Sequence, residues 1–280
     1  MGLYSDVLLT VDFDRTLTAP DSTIPQRNLD AIRYFMDNDG IFTVNTGRSV
    51  PMFRRYLDTI PHNGPWLLYN GSAAYDHGEL TLQHPIQYDK AQMVSRIREQ
   101  FPGLNLEEQG VEAHYSFWDN PQWMAFYDQV GAEHRQVTLQ EDVGPFLKLS
   151  VFGIPRSNCV ADMFAATPEE KLYFDRIQRW LDETFGDVIE AFRAAPRIID
   201  IHAKGVSKIR SARELQQKLG RKILVCVGDA ENDISMLKGA DHAFCPADGV
   251  VAGQFPNVCP CGEGAVAYVI YKKIPEILGK

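Results

Sequence analysis

Asp12 and Asp14 stand one residue apart where an apolar, β-branched run, Val7-Leu8-Leu9-Thr10-Val11, gives out. Such a run reads as a buried strand, and residues i and i+2 of an extended chain share a face. Two carboxylates held that close repel, so the pair requires a metal ion, a cationic partner or a proton on one member. Taken alone, the pair is equally well a capped turn, because Asp and Thr are ordinary turn residues. Similar polar groups follow other apolar runs. Ile41-Phe42-Thr43-Val44-Asn45 leads into Thr46-Gly47-Arg48, and Lys222-Ile223-Leu224-Val225-Cys226-Val227 leads into Gly228-Asp229, with Asn232 and Asp233 beyond. Carboxylates at several strand ends suit a hard, oxygen-seeking cation such as Mg2+ better than zinc.

These groups need elements that bring them to one place. Pro25 to Asn38 carries Leu29, Ile32, Phe35 and Met36 on one helical face and stops at Gly40. A second strand at 41–46 follows. The spacing then predicts a helix with Val50, Phe53, Leu57 and Ile60 facing inward, and a third strand over 65–71. Strand, helix, strand, helix, strand opens an α/β fold with a doubly wound, Rossmann-like parallel sheet, whose ligands bind at the carboxyl ends of the strands.

After about Asp76 the pattern changes to mixed strands and helices rich in aromatics. Gly78 to Ile86 reads as a hairpin or connector, Asp89 and Gln92 as the start of a helix, and 137–139 and 146–153 as strands. Thr167-Pro168-Glu169-Glu170 opens a helix to about Phe185, and strands follow at 188–194 and 198–201. The first pattern resumes with a helix capped by Ser207 and the strand at 222–227. The expected division is therefore a core over 1–81 and 193–280, interrupted by an α+β cap over 82–192.

A net charge of −9 across 280 residues disfavours a nucleic-acid binder but not a small phosphate ester, since a metal ion inverts local charge. The N-terminus lacks a basic segment followed by a long apolar one, and no apolar stretch approaches a membrane span, so a protein of the cytoplasm with no membrane partner is expected. Of five cysteines, Cys159, Cys226, Cys245, Cys259 and Cys261, the closely spaced Cys259-Pro260-Cys261 does not match structural zinc spacing.

Four segments, in order, resemble the motifs of the haloacid dehalogenase (HAD) superfamily. They are Asp12-Phe13-Asp14-Arg15-Thr16-Leu17-Thr18, Asn45-Thr46-Gly47-Arg48, Lys204-Gly205-Val206-Ser207-Lys208 and Gly228-Asp229-Ala230-Glu231-Asn232-Asp233. The interruption is similar to the C2B-type cap of its Cof-type, sucrose-phosphate-phosphatase-like branch, and the resemblance covers essentially the whole chain. It implies a Mg2+-dependent phosphomonoester hydrolase acting on a small soluble phosphate ester, such as a sugar phosphate, through an aspartyl phosphate. Asp12 would be the nucleophile and Asp14 the acid and base. The metal would take the carboxylates of Asp12 and Asp229 and the carbonyl of Asp14, with Asp233 supporting. Thr46, Lys208 and the Gly47 amide would hold phosphate oxygens, with Lys208 preferred to Lys204; Asn232 would either touch the phosphoryl group or cap its helix.

The alternatives are a phosphomutase on a hexose phosphate and a catalytically silent binder of phosphate ligands. Arg15 replaces the family's usual glycine, and with Arg48 and Arg193 it is a candidate for substrate selection; Arg48 is equally a structural partner of a carboxylate. The cap residues His114, Trp118, Trp123 and His134 are further candidates, and Lys148 is expected to bury its stem without a catalytic role. The oligomeric expectation is a monomer or weak homodimer.

Overall fold

The β-branched runs singled out above become strands because both faces of their sheet are covered. Leu8, Leu9, Val11, Leu224, Val225 and Val227 are fully buried, and each such side chain is worth about 1.5–3 kcal/mol of burial. The computed structural model describes residues 2–119, 121–153 and 165–280; Cys159 lies outside the described residues. Contacts divide the chain into two units. One comprises Met1–Gly47, Tyr56–Leu82 and Ser207–Lys280, and the other Arg48–Arg55 and Gln83–Val206.

In the first unit a five-stranded parallel sheet runs Asn257–Val258, His242–Pro246, Ile223–Val227, Val7–Val11, Ile41–Val44. Val11 pairs with both Val227 and Val44. Residues 12, 45 and 228 therefore leave the sheet side by side at its carboxyl edge. Parallel neighbours need crossovers, supplied by amphipathic helices such as Gln26–Asp37, which buries Leu29, Ala31, Ile32 and Phe35. Buried Asn28 donates to the Leu17 carbonyl and accepts from the Ala267 amide, tying the segment after Asp12 to the C-terminal helical region.

Two expectations differ from the structure here. The helix after Arg48 is one turn, Val50–Phe53, followed by a 3-10 turn over Arg54–Tyr56, and Leu57 is only half-buried. Pro61 disfavours helical backbone at Ile60, and Arg54 and Arg55 are exposed where an inward face would continue. The third strand, Trp66–Leu68, meets the parallel sheet at the Asn45–Leu67 bridge, and its ladder is antiparallel with Ala73–Asp76.

The second unit has a six-stranded sheet in the order Ile189–Ala195, Ile198–Ala203, Leu149–Phe152, Asn105–Gln109, His114–Ser116, His134–Gln136. One face packs Leu106, Leu149, Val151, Ile199 and Ile201 against residues of the helices Lys90–Gln100 and Pro168–Phe185. The other carries a polar row, since Glu107 pairs with Ser150 and Ser150 with Asp200. Thr167 and Glu170 form the reciprocal cap expected for the long helix. The strand near residue 137 is displaced to His134–Gln136, where it pairs in parallel with His114–Ser116. This unit continues to Val206 rather than 192, because Ile189–Ala195 forms an antiparallel pair with Ile198–Ala203.

Candidate active site

The carboxyl edge of the parallel sheet gathers residues from four separate segments. Asp12 directly follows its strand, with its amide bonded to the Val227 carbonyl at 2.8 Å. Lys208 opens the helix Lys208–Lys218, which Ser207 caps by accepting from the Arg210 amide. Its Nζ donates to Oδ1 of Asp12 and to Oδ1 of Asp233, both at 2.6 Å. Asp233 uses its other oxygen to accept from the amides of Asp229 and Ala230, each at 3.0 Å, folding the loop back on itself. A side chain at Gly228 would meet Asp233 at 2.7 Å, so a glycine there permits the fold-back. Thr16 donates to Asp229 Oδ1 at 3.1 Å.

Asp12, Asp229 and Asp233 offer oxygens within 4.8 Å of one another, and all three are buried. Three carboxylates against the one ammonium in contact with them leave an excess of negative charge. Burial raises the Asp12 carboxyl well above its usual range, and the Asp233 charge adds to this against the opposing pull of Lys208. Asp229 is pushed up to about 6 by burial and by Asp233, despite the Thr16 hydrogen bond, Lys208 and Arg15. Burial would lower Lys208, but Asp12 and Asp233 outweigh it and the ammonium is held more tightly than in water. When a lysine and its carboxylate partner both favour their protons, the site lacks positive charge. The donors are all oxygen, so the missing charge fits a hard divalent cation, with Asp12 and Asp229 available to hold it and Asp233 committed to Lys208 and the loop.

Thr46 is buried, with its amide donating to the Leu67 carbonyl and its own carbonyl accepting from the Asn70 amide, both at 2.9 Å. At Gly47 a Cβ would meet Asn70 Oδ1 at 2.8 Å, so a larger residue would require the Asn70 side chain to move. Asn70, at φ 54°, accepts from Asn232 Nδ2 at 3.4 Å while its amide donates to the Thr46 carbonyl, and so links Thr46 to the loop after Asp229. Asn45 donates to the Lys208 carbonyl at 2.8 Å and ties the second strand end to the helix that presents the lysine. The sequence reading missed Asn45 and Asn70 as organising residues. In the sequence each shows only an amide side chain just after an apolar run.

The remaining candidates divide by unit. Asp14 and Arg15 are exposed two and three residues beyond Asp12, and Arg15 takes the left-handed backbone, φ 58°, that a glycine would favour. Its charge acts on Asp229 and Asp248. Arg48 and Arg193 belong to the second unit, where Arg48 donates to the Met52 carbonyl and Arg193 pairs with Asp175 at 2.5 Å. Lys204 pairs with Glu190 at 3.4 Å, in contrast to the buried contacts of Lys208. Trp123 packs on Phe152, Trp118 lies under the Arg98 guanidinium, and His134 Nδ1 is 3.1 Å from the Ala132 carbonyl.

A family of haloacid dehalogenase-like hydrolases matches residues 9–250. No curated protein matches the chain. Among solved structures, a haloacid dehalogenase-like hydrolase from Bacteroides thetaiotaomicron is 17% identical with a TM-score of 0.79, covering 96% of this chain and 99% of that one. A haloacid dehalogenase-like hydrolase from B. subtilis is 16% identical with a TM-score of 0.75, over 95% and 99% of the two chains. The HAD subclass IIB sugar phosphatase BT4131 is 18% identical with a TM-score of 0.74, over 97% and 98%. At these identities the likeness establishes a shared fold, a parallel-sheet core with an inserted unit.

Proposed function

The chain belongs to the haloacid dehalogenase-like hydrolases, and from that premise we propose that it is a Mg2+-dependent hydrolase of small phosphate monoesters, sugar phosphates foremost. One observation carries the reading: the buried chain Asp12–Lys208–Asp233, at a sheet edge with more carboxylates than cations. The sugar-phosphate class is supported by the likeness to a sugar phosphatase of the same fold.

Asp12 attacks phosphorus, forming an acyl phosphate as the bond to the leaving oxygen breaks, and Asp14 gives that oxygen its proton. Water then attacks phosphorus, Asp14 takes the water proton, and the bond to Asp12 breaks to release phosphate. Covalent transfer splits one difficult displacement into two. Lys208 opposes the protonation that burial favours at Asp12 and holds that side chain in one orientation. Thr46 and the Gly47 amide bind phosphoryl oxygens, and the Asn70 amide holds the Thr46 carbonyl. Mg2+, held by Asp12 and Asp229 with the Asp14 carbonyl, would offset the repulsion between the carboxylate and a phosphate dianion.

A phosphate-ester panel read by free phosphate tests this. Asp12→Asn nearly preserves shape and is expected to lose about a thousandfold or more in turnover, on the order of 4 kcal/mol in barrier. Near-parental turnover in that variant, with deamidation excluded, overturns the assignment. Transfer between two hydroxyls without free phosphate would instead identify a mutase. For Asp14→Asn, activated aryl esters should suffer less than alkyl esters, because their leaving groups need no proton.

A further inference from the structure

The second unit holds a buried polar chain of its own. Ser49 Oγ lies 2.6 Å from His114 Nε2. The other ring nitrogen, Nδ1, lies 2.9 Å from Glu107 Oε1, an ion-pair distance reached off the line of a hydrogen bond. The same Oε1 accepts from the Tyr127 hydroxyl at 2.6 Å, and the Tyr127 ring meets the imidazole edge-on. Ser49, Glu107, His114 and Tyr127 are each at most 3% exposed.

Hydroxyl, imidazole and carboxylate in this order are the parts of a hydrolytic triad. Ser49 is not placed to be a nucleophile, because it is fully buried and its Oγ already accepts from the Met52 amide as cap of Val50–Phe53. The hydroxyl is an anchor. It follows Gly47 by two residues, whereas Thr46 is fixed by backbone bonds to Leu67 and Asn70. Ser49 thus anchors the chain two residues after Gly47. Burying four polar groups costs free energy that a purely apolar core would avoid, and here it gives one defined direction to the chain leaving Gly47.

We propose that Ser49, His114 and Glu107 form a positioning relay that fixes the Gly47–Ser49 backbone, and with it the Thr46 and Gly47 donors that bind phosphate. The relay rests on the phosphohydrolase reading for its effect on turnover, but not for its effect on the loop.

Asn at 114 can reproduce the nitrogen facing Glu107, and Gln the one facing Ser49, so the two substitutions separate the halves of the relay. His114→Asn and Ser49→Ala should each lower kcat/KM about tenfold, the scale of a small misplacement of binding groups. Each should also raise the inhibition constant of inorganic phosphate by a similar factor. The double variant should be no worse than either single one, since both break the same chain. His114→Gln should recover much of the loss. Amide exchange should quicken over residues 46–53 and stay parental over 149–152. Parental exchange over 46–53 in folded His114→Asn, or losses that multiply in the double variant, overturns the relay. If the parent protein releases no phosphate from any ester, the hydrolase reading fails, and exchange over 46–53 alone decides the relay.

Discussion

Among the described residues two lysines are buried, one in each unit, and they keep different company. Lys208 touches two carboxylates at 2.6 Å in a cluster that contains a third. Lys148 pairs with Asp200, also at 2.6 Å, and Asp200 accepts from Ser150 through its other oxygen at 2.7 Å. The first arrangement is short of positive charge and the second is balanced. An imbalance of buried charge is costly in an empty protein and is relieved by a ligand, whereas a balanced pair needs none. The difference assigns chemistry to the first unit's lysine and structure to the second's.

The largest expected effect breaks the balance at Lys208's cluster. Exhaustive chelation should cut phosphate release by at least about a hundredfold, and Mg2+ should restore it. The same cation should raise Tm without any substrate present, since a ligand at a hundred times its Kd stabilises by about 2.7 kcal/mol. Asp229→Ala should lose both responses, and Lys148 variants should keep both. Full turnover in verified metal-free protein, or an Asp229→Ala protein with the parental Tm response, would remove the distinction between the two lysines.

Next comes the balanced pair. Lys148→Met leaves Asp200 buried without its cation and should destabilise the fold by about 3–5 kcal/mol. Adding Asp200→Leu should return most of that stability, because removing both charges leaves nothing uncompensated. Equilibrium unfolding of the two variants measures it. A stable Lys148→Met protein with abolished turnover would place Lys148 in the reaction, and the comparison would fail.

This contrast also explains how much of the molecule was legible in its sequence. The parallel sheet was readable because strands buried on both faces, such as 223–227, are continuous apolar runs, and those runs end in the residues that meet at Asp12. Asn45 and Asn70 were not readable as organisers, because a strand-end amide is commonplace until its partner, the Lys208 carbonyl or the Asn232 side chain, is known. The second unit was harder. Its sheet has one polar and one apolar face, yet the polar row at Glu107, Ser150 and Asp200 is buried too, so burial and polarity part company. Short strands such as His134–Gln136 are placed by their ladder partners rather than by periodicity, which is why that strand was expected three residues too late.

His202 in the second unit and Asp229 in the first should respond to acid with opposite sign when no metal is present. Burial first, and then the charge of Lys148, push the His202 imidazole down to about 3 against Asp200 and a backbone contact. The unfolded histidine takes up its proton near 6.5, so between about 6.5 and 3 the unfolded state binds more protons. The stability linked to a neutral His202 is thus complete above pH 6.5 and is lost as pH falls, by about 2 kcal/mol at pH 5. Asp229, pushed up to about 6, runs the other way: the folded state binds more protons between 6 and 4, and acid relieves its cost. His202→Gln should therefore shrink the loss of stability between pH 7 and pH 5 in chelator. An unchanged loss would mean that His202 is not what makes the second unit acid-sensitive.

The smallest effect sharpens the comparison from its other side, by removing a cation near the surplus of carboxylates. Arg15 holds φ 58° and ψ 14°, its amide donates to Thr18 Oγ1 at 3.1 Å, and its side chain is exposed. Left-handed backbone costs a residue with a Cβ about 1–2 kcal/mol, which glycine avoids. Glycine in turn loses about 0.4–1 kcal/mol through the greater freedom of the unfolded chain. Arg15→Gly should then gain between about 0 and 1.6 kcal/mol, the difference of those two ranges, and raise Tm by a few degrees at most. Arg15→Ala separates backbone from charge, because alanine keeps the strain and loses the guanidinium; it should show no such gain. Both variants should bind Mg2+ more tightly than the parent, since the Arg15 charge acts on Asp229 and Asp248. Loss of a cation would destabilise the second unit at Lys148 and favour metal binding in the first at Arg15. Equal Tm values for Arg15→Gly and Arg15→Ala would show that the left-handed turn carries no strain, and unchanged Mg2+ affinity in both would show that Arg15 lies outside the field of the carboxylate cluster.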